Sequence, residues 1–275
     1  MRTKIRANFH THTNLCDGRD TPEEMASFAK SLGFTALGFS GHMDQDIHMD
    51  FAEYKKEIKR MEKLYEGEME VLCGVELDTL YDASLAEGAD YYIGSTHFLE
   101  IPEPSLAAVD LSPEILRKAC EEFFSGDYYA LCRSYYDLEA KVYEKTHCTF
   151  VGHFDLVTRF NDEMHFVDEE DPRYYKPAME VMEYLVSLGL PFEINAGAVN
   201  RGRKKEFYPG KRLLCHLKNL GGEILISSDA HQKELLNGGF EEAVETALAC
   251  GFTHVLFPTK ESGRLMMRHV ALEEE

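Results

Sequence analysis

Six of the twelve histidines in this chain stand where a short apolar run has just ended, and two carboxylates share that placement. His10 and His12 form His-Thr-His at the end of the first such run; two residues apart on an extended segment, their side chains point the same way. His42 follows the second run in Ser-Gly-His-Met-Asp, and Glu76 the third in Gly-Val-Glu-Leu-Asp. His97 lies in Gly-Ser-Thr-His-Phe, His153 in Val-Gly-His-Phe-Asp, and Asp229 with His231 in Ser-Ser-Asp-Ala-His. Imidazoles mixed with carboxylates suit zinc, manganese or iron, and not a calcium cage of oxygens. The set exceeds the needs of one tetrahedral ion, so two or three metals are expected. His48, His147, His165, His216, His254 and His269 lack this placement and read as ordinary histidines.

Such a convergence requires elements that bring distant ends to one place. Candidate strands are Thr3–Phe9, Thr35–Ser40, Glu70–Val75, Tyr91–Ser95, Thr149–Gly152, Pro191–Ile194, Glu223–Ser227 and Thr253–Phe257. Helical patterns lie between them: Thr21–Ser31, Phe51–Tyr65, Pro172–Leu188, Lys211–Leu220 and Phe240–Cys250. Thr21, Pro22 and Glu24 make a capping box with proline at the first helical position, and Gly189, Gly221 and Gly251 are placed to end helices. Pro113–Lys145 supplies one or two further helices, after a proline-containing loop at Ile101–Ser112; Thr158–Asp171 reads as an acidic loop. Strands alternating with helices argue a parallel α/β barrel, in which every strand's C-terminal end opens on one face. The rhythm runs from end to end, so a single domain over residues 1–275 is expected.

With 275 residues and 44% hydrophobic content the chain can bury a sizeable core. Its formal charge of −20 disfavours nucleic acid as a partner, since phosphate backbones need a basic face. The sequence shows neither a signal-like start nor an apolar stretch of membrane-spanning length, and the reading is a cytoplasmic protein with no membrane partner. Cys16, Cys73, Cys120, Cys132, Cys148, Cys215 and Cys250 are scattered without Cys-x-x-Cys spacing and are expected to be reduced thiols. Cys16 stands out because it lies inside the first histidine motif.

Taken together, the motifs resemble the PHP family, the polymerase and histidinol phosphatase domains. They are Asn8-Phe-His-Thr-His-Thr-Asn-Leu-Cys-Asp-Gly18, Gly41-His-Met-Asp44, Gly74-Val-Glu-Leu-Asp78, Gly94-Ser-Thr-His-Phe98, Gly152-His-Phe-Asp155 and Ser228-Asp-Ala-His231. Gly152–Phe160, Phe192–Gly197 and Phe207-Tyr-Pro209 are similar to the stand-alone histidinol-phosphatases of that family. Two positions depart from its pattern: Asn8 stands where aspartate is usual, and Ala196-Gly197 replaces Thr-Ser-Gly after Asn195. The resemblance implies a distorted (β/α)7 barrel and three divalent metal ions. His10, His12, Glu76 and Asp229 would hold one ion, and a bridging Glu76 with His97 and His153 a second. Asp17, His42 and His231 would hold the third.

The implied activity is hydrolysis of a small phosphate ester, L-histidinol phosphate, releasing histidinol and inorganic phosphate in histidine biosynthesis. Three divalent ions against Asp17, Glu76 and Asp229 leave a surplus of about three positive charges, so an acidic protein can present a cationic pocket. A water shared between metals, with its pKa lowered toward neutrality, is the expected nucleophile. Arg159 and Arg201 are candidates for binding the phosphoryl oxygens, with Asn195 heading a loop expected to face the substrate. Asp229 and His231 are candidates for protonating the leaving group. An acid among Glu100, Glu103, Asp162, Glu163 and Asp168 would pair with the substrate's ammonium group. Two other readings stand beside this one: a phosphoesterase for another small ester such as a nucleoside monophosphate, and a non-catalytic metal-binding regulator.

Overall fold

Every residue of Ala36–Met43 is buried, as in a strand covered on both faces, and the neighbouring strands are nearly as dry. The computed structural model describes residues 5–47, 49–102 and 106–273; the expected strand start at Thr3, His48, Glu103 and the end of the acidic tail lie outside that range. In chain order the strands are β1 (Ala7–Asn8), β2 (Ala36–Met43), β3 (Glu70–Asp78), β4 (Tyr91–Ser95), β5 (Phe98–Leu99), β6 (Ala107–Ala108), β7 (Phe150–Val151), β8 (Phe192–Asn195), β9 (Ile224–Ser227), β10 (His254–Glu261) and β11 (Arg264–Ala271). Seven of them form one parallel sheet in the order β1-β2-β3-β4-β7-β8-β9. A parallel bridge between Thr11 and Ala230 brings the two edges together, so the sheet is a nearly closed seven-stranded barrel. Tyr91 fills its interior, donating its hydroxyl proton toward the carbonyls of Phe9 and Phe39 in the space left by Gly38 and Gly74.

Helices wrap the sheet much as their punctuation predicts. Pro22–Ser31 begins with both halves of the capping box in place: the Glu24 amide donates to the Thr21 hydroxyl and the Thr21 amide to the Glu24 carboxylate. Gly189, Gly221 and Gly251 each take positive φ just past a helix end. Pro113–Lys145 divides into three helices, Pro113–Phe124, Tyr128–Glu139 and Val142–Thr146. The first break comes where Ser125 and Gly126 turn left-handed and the Asp127 side chain caps a new start. Within the expected loop at Ile101–Ser112, Ala107–Ala108 pairs antiparallel with Phe98–Leu99 to make a small ribbon beside the barrel mouth.

Two expectations are overturned. The eighth candidate strand does not join the barrel; it pairs along its whole length with β11 in an antiparallel hairpin. Phe257 of that hairpin packs on Phe9, and Glu70 at the start of β3 accepts hydrogen bonds from Thr259 and Lys260, so the hairpin closes the N-terminal end. Cys215 and Cys250 are not reduced thiols but a disulfide joining the helix Lys211–Asn219 to the residue that ends Phe240–Ala249. Helix packing brings their Cα atoms to 4.7 Å, a proximity that a separation of 35 residues conceals. The other five cysteines are free. Among the described residues no helix is long and apolar enough to cross a membrane.

Candidate metal centre

Parallel register assembles the site. His42 on β2 and Glu76 on β3 are direct register partners, which sets an imidazole beside a carboxylate. His10, His97, His153 and Asp229 each stand two residues beyond the last residue of β1, β4, β7 and β9. The equivalent position after β8 is Gly197, where a Cβ would lie 2.7 Å from Asp229 Oδ2 and 2.8 Å from Arg201 Nη2; this accounts for a residue without a side chain at that point. Gly18 serves the first loop in the same way, because a Cβ there would meet the backbone of His12 and Thr13 at 2.6 Å. That tight return carries Asp17 to 3.0 Å from His231 Nε2, 3.5 Å from His12 Nδ1 and 3.7 Å from His42 Nε2.

Four overlapping groups of potential ligand atoms result, each with its atoms within 4.8 Å of one another. They are His12 with Asp17, His42 and His231; His10 with Glu76 and His153; His10 with His12 and Asp229; and His42 with Glu76 and His97. All nine residues read from the sequence as metal ligands are thus brought together. Glu76 lies at the middle, with Oε2 3.1 Å from both His10 Nε2 and His42 Nδ1, and Oε1 2.9 Å from His153 Nε2 and 3.3 Å from His97 Nε2.

The donor atoms fit divalent metal. His10 Nε2, His12 Nε2, His42 Nδ1 and Glu76 Oε2 are buried yet make no aligned hydrogen bond, although several are close to one another. Lone pairs aimed at shared points in space, rather than at each other, leave buried polar atoms unsatisfied unless a cation accepts them. Electrostatics point the same way. Burial alone would raise the Glu76 carboxyl, but His10, His42 and His97 hold it well below the usual range. Asp229 is likewise depressed against its burial, chiefly by Arg201 and His10. Burial, with His231 and His42, lowers His12 to about 3, so its imidazole is neutral and able to coordinate. Burial would also lower His10, yet Glu193, Glu76 and Asp229 together raise it, which shows how strongly the cluster draws positive charge. Cys16 is 3.9 Å from His12 Nδ1, but burial and Asp17 push its thiol up to about 11, the protonated form that does not coordinate.

Supporting residues absent from the sequence reading surround the ligands. Glu193 is fully buried, accepts from His10 Nδ1 at 2.9–3.0 Å, and is itself held by Ser227 and Asn195. It fixes the ring so that Nε2 faces Glu76. Asp78 lies 3.3 Å from His97 Nδ1 and accepts the His97 amide, while Asp44 lies 3.5 Å from His42 Nδ1. An acid flanked by apolar residues, as in Phe192-Glu193-Ile194, was the available signal, because a buried carboxylate must have a partner. Asn8 uses the donor that aspartate would lack: its amide donates to Ser228 Oγ and the Leu236 carbonyl, while its Oδ1 accepts from the His10 amide.

The cluster opens into a cavity of about 490 Å³. Arg159, Arg201 and Arg203 line one wall, and Ile47, Phe98, Leu111 and Leu156 give it apolar surface. Arg201 donates to the Asp229 carbonyl at 2.7 Å and to Asp229 Oδ2 at 3.1 Å. Arg159 is 3.9 Å from Asp110. Asn195 is a correction: it does not line the cavity, because its amide is spent on Glu193 and its Oδ1 on the Gly197 amide. The loop acids are another. Glu100 pairs with Lys141, Asp162 accepts from the Lys205 amide, and Asp168 from the Glu170 amide. None of these, nor Glu163, lines the cavity, whose acids outside the ligand set are Asp44, Asp46 and Asp110.

This arrangement has counterparts. The chain is 28% identical to a probable histidinol-phosphatase of Deinococcus radiodurans over 90% of its own length and 95% of the relative's. A probable histidinol-phosphatase of Schizosaccharomyces pombe is 26% identical, with 90% and 87% covered. In fold it is similar to the Lactococcus lactis histidinol phosphate phosphatase, a structure solved with zinc, L-histidinol and phosphate: TM-score 0.70, 22% identity, covering 94% of this chain and 98% of that one. Residues 8–197, which include seven of the nine clustered ligand residues, match the PHP domain, and the chain belongs to that family.

Proposed function

We propose that this chain is a metal-dependent phosphomonoesterase that hydrolyses L-histidinol phosphate to L-histidinol and inorganic phosphate. One observation carries the reading: a buried set of shared metal ligands opens into the same cavity as three arginines, so ligands for cations and donors for an anion face one small space. In this reading three divalent ions, of zinc, manganese or iron, are held by the nine residues. His10, His12, Glu76 and Asp229 take one; Glu76, His97 and His153 another; Asp17, His42 and His231 the last. Bound there, such ions supply Lewis acidity and make water a nucleophile near neutral pH.

The chain's own residues do the rest. Arg159 and Arg201 present guanidinium groups to the non-bridging phosphoryl oxygens, where charge must be neutralised during an in-line displacement. Arg201 also ties Asp229 in place through two hydrogen bonds, so phosphate binding and ligand orientation share one side chain. Asp229 and His231, 3.4 Å apart, border the cavity and are the groups from which a leaving alkoxide would take its proton. The relatives' named substrate agrees with the rest of the cavity lining. Asp44, Asp46 or Asp110 can meet an ammonium group, and Ile47, Phe98 and Leu111 can cover a ring. A cytoplasmic setting belongs to the same proposal.

Steady-state kinetics over a panel of phosphomonoesters tests it. L-Histidinol phosphate should exceed nucleoside monophosphates and sugar phosphates in kcat/KM by about tenfold or more, the margin expected when an acid lining the cavity is matched by an amine. A nucleotide or sugar phosphate winning by that margin would keep the hydrolase and remove the substrate; no turnover of any ester by metal-loaded protein would leave the binding-protein reading.

A further inference from the structure

The barrel is sealed less firmly on one side of β9 than on the other. β9 pairs with β8 at four successive register positions, from Phe192–Ile224 to Asn195–Ser227. Toward β1, among the described residues, the ladder is a single bridge beyond the ends of both strands, between Thr11 and Ala230. Its two hydrogen bonds run from the His12 amide to the Ala230 carbonyl at 2.9 Å and from the Ala230 amide to the His10 carbonyl at 3.3 Å. Asp229 and His231 flank Ala230, so the seam of the barrel runs through the metal cluster. Asp229 also takes a left-handed φ of 48°, a conformation that costs a residue with a side chain and persists only where its surroundings impose it.

The Cys215–Cys250 disulfide encloses this segment. It ties the helix before β9, Lys211–Asn219, to the residue that ends the helix after it, Phe240–Ala249. Both cysteines are partly exposed, which leaves the bridge open to a reductant, whereas four of the five free cysteines are buried. A cross-link removes freedom from states in which the enclosed loop has opened, and a long loop gains more than a short one. Here the cysteines are 35 residues apart, and the loop between them holds the seam and two ligands. In the cytoplasmic setting proposed above, disulfides are more often transient and redox-sensing than structural. We propose that Cys215–Cys250 is a redox-sensitive clamp on the barrel seam, holding Asp229 and His231 against the other ligands when oxidised and loosening them when reduced. A thiolate of a dithiol reductant attacks one sulfur, breaking the S–S bond and forming a mixed disulfide. The reductant's second thiolate then displaces the other cysteine; the chain gains two thiols, with the protons of the dithiol, and the reductant leaves as a disulfide. This rests on the metal-site reading of the cluster.

Thiol counting, metal release and amide exchange on the intact, zinc-loaded chain test it. Alkylation of air-exposed protein should find the five free cysteines, and all seven after a phosphine reductant. Reduction, followed by removal of the phosphine, should speed zinc loss to a colorimetric chelator by about tenfold or more. Amide exchange at residues 226–231 should quicken with it, while exchange in β3 stays unchanged. Cys215→Ser combined with Cys250→Ser should match the reduced chain whether or not phosphine is added. Seven free cysteines in the air-exposed protein would overturn the clamp. So would zinc loss that is equal in the two redox states, that phosphine speeds in the double variant, or that comes with faster exchange through β3. Failure of the metal reading is seen separately, as an oxidised chain that binds no zinc, because amide exchange reports the clamp without metal.

Discussion

The two ends of the barrel treat charge in opposite ways. At the N-terminal end, where the β10–β11 hairpin closes the sheet, polar groups are satisfied locally. Glu70 accepts from Thr259 Oγ1 at 2.8 Å and the Lys260 amide at 2.6 Å; Lys260 reaches Asp90 and Glu62; His269 bonds Glu223. At the C-terminal end Glu76, His10, His12 and His42 are more deeply buried, yet they include polar atoms with no partner. One end has finished its hydrogen bonding within the chain, and the other is complete only with something added. An unsatisfied buried cluster lowers stability, so its presence at one end alone marks where function outweighs folding.

If that contrast is right, removing metal should be the most damaging perturbation. Elemental analysis of protein made in metal-replete medium should find two to three transition-metal ions per chain, and chelation should abolish turnover; full activity in metal-free protein would break the contrast at its base. Glu76→Gln comes next, with an expected loss in kcat/KM on the order of 10³-fold or more, because an amide cannot supply the charge that several ligand groups share. His216→Asn, altering a histidine on an outer helix that pairs with Glu183, should change kcat/KM by less than about twofold. Equal small effects would remove Glu76 from the centre of the site. Glu193→Gln sharpens the picture, since it touches no substrate: metal affinity should fall about 10- to 100-fold through loss of His10 orientation, measured by competition with a chelator. Retained affinity would show that the His10–Glu193 contact is packing alone. Smallest is Glu70→Gln at the closed end, expected to cost about 1–2 kcal/mol of stability in urea unfolding with kcat/KM unchanged. A loss of activity there would mean that the two ends are coupled.

Much of the site was legible because it depends on local features. A carboxylate or histidine placed just past an apolar run needs only the rule that parallel strands share an open end, and His10, His97, His153 and Asp229 all follow it. Residues that orient the ligands were missed for the converse reason. Glu193 meets His10 across 183 positions, and inside its own strand it is merely a polar residue in an apolar run. Asn195 misled in the other direction: it is the last residue of β8, whereas His10, His97, His153 and Asp229 stand two residues beyond the ends of their strands, and its side chain is taken up by Glu193 and the Gly197 amide.

The sequence alone therefore determined the alternation of strands and helices, the helix caps, the chemical nature of the site and the end of the barrel at which it lies. Those follow from periodicity, capping chemistry and residue type, all of which act over a few positions. Only the tertiary structure decided that Thr253–Phe257 leaves the barrel for a hairpin, that Cys215 meets Cys250, and that Asp44, Asp46 and Asp110, rather than the loop acids, line the cavity. Each of these depends on which surfaces meet when the barrel closes, and contacts between distant segments leave no local pattern in the chain.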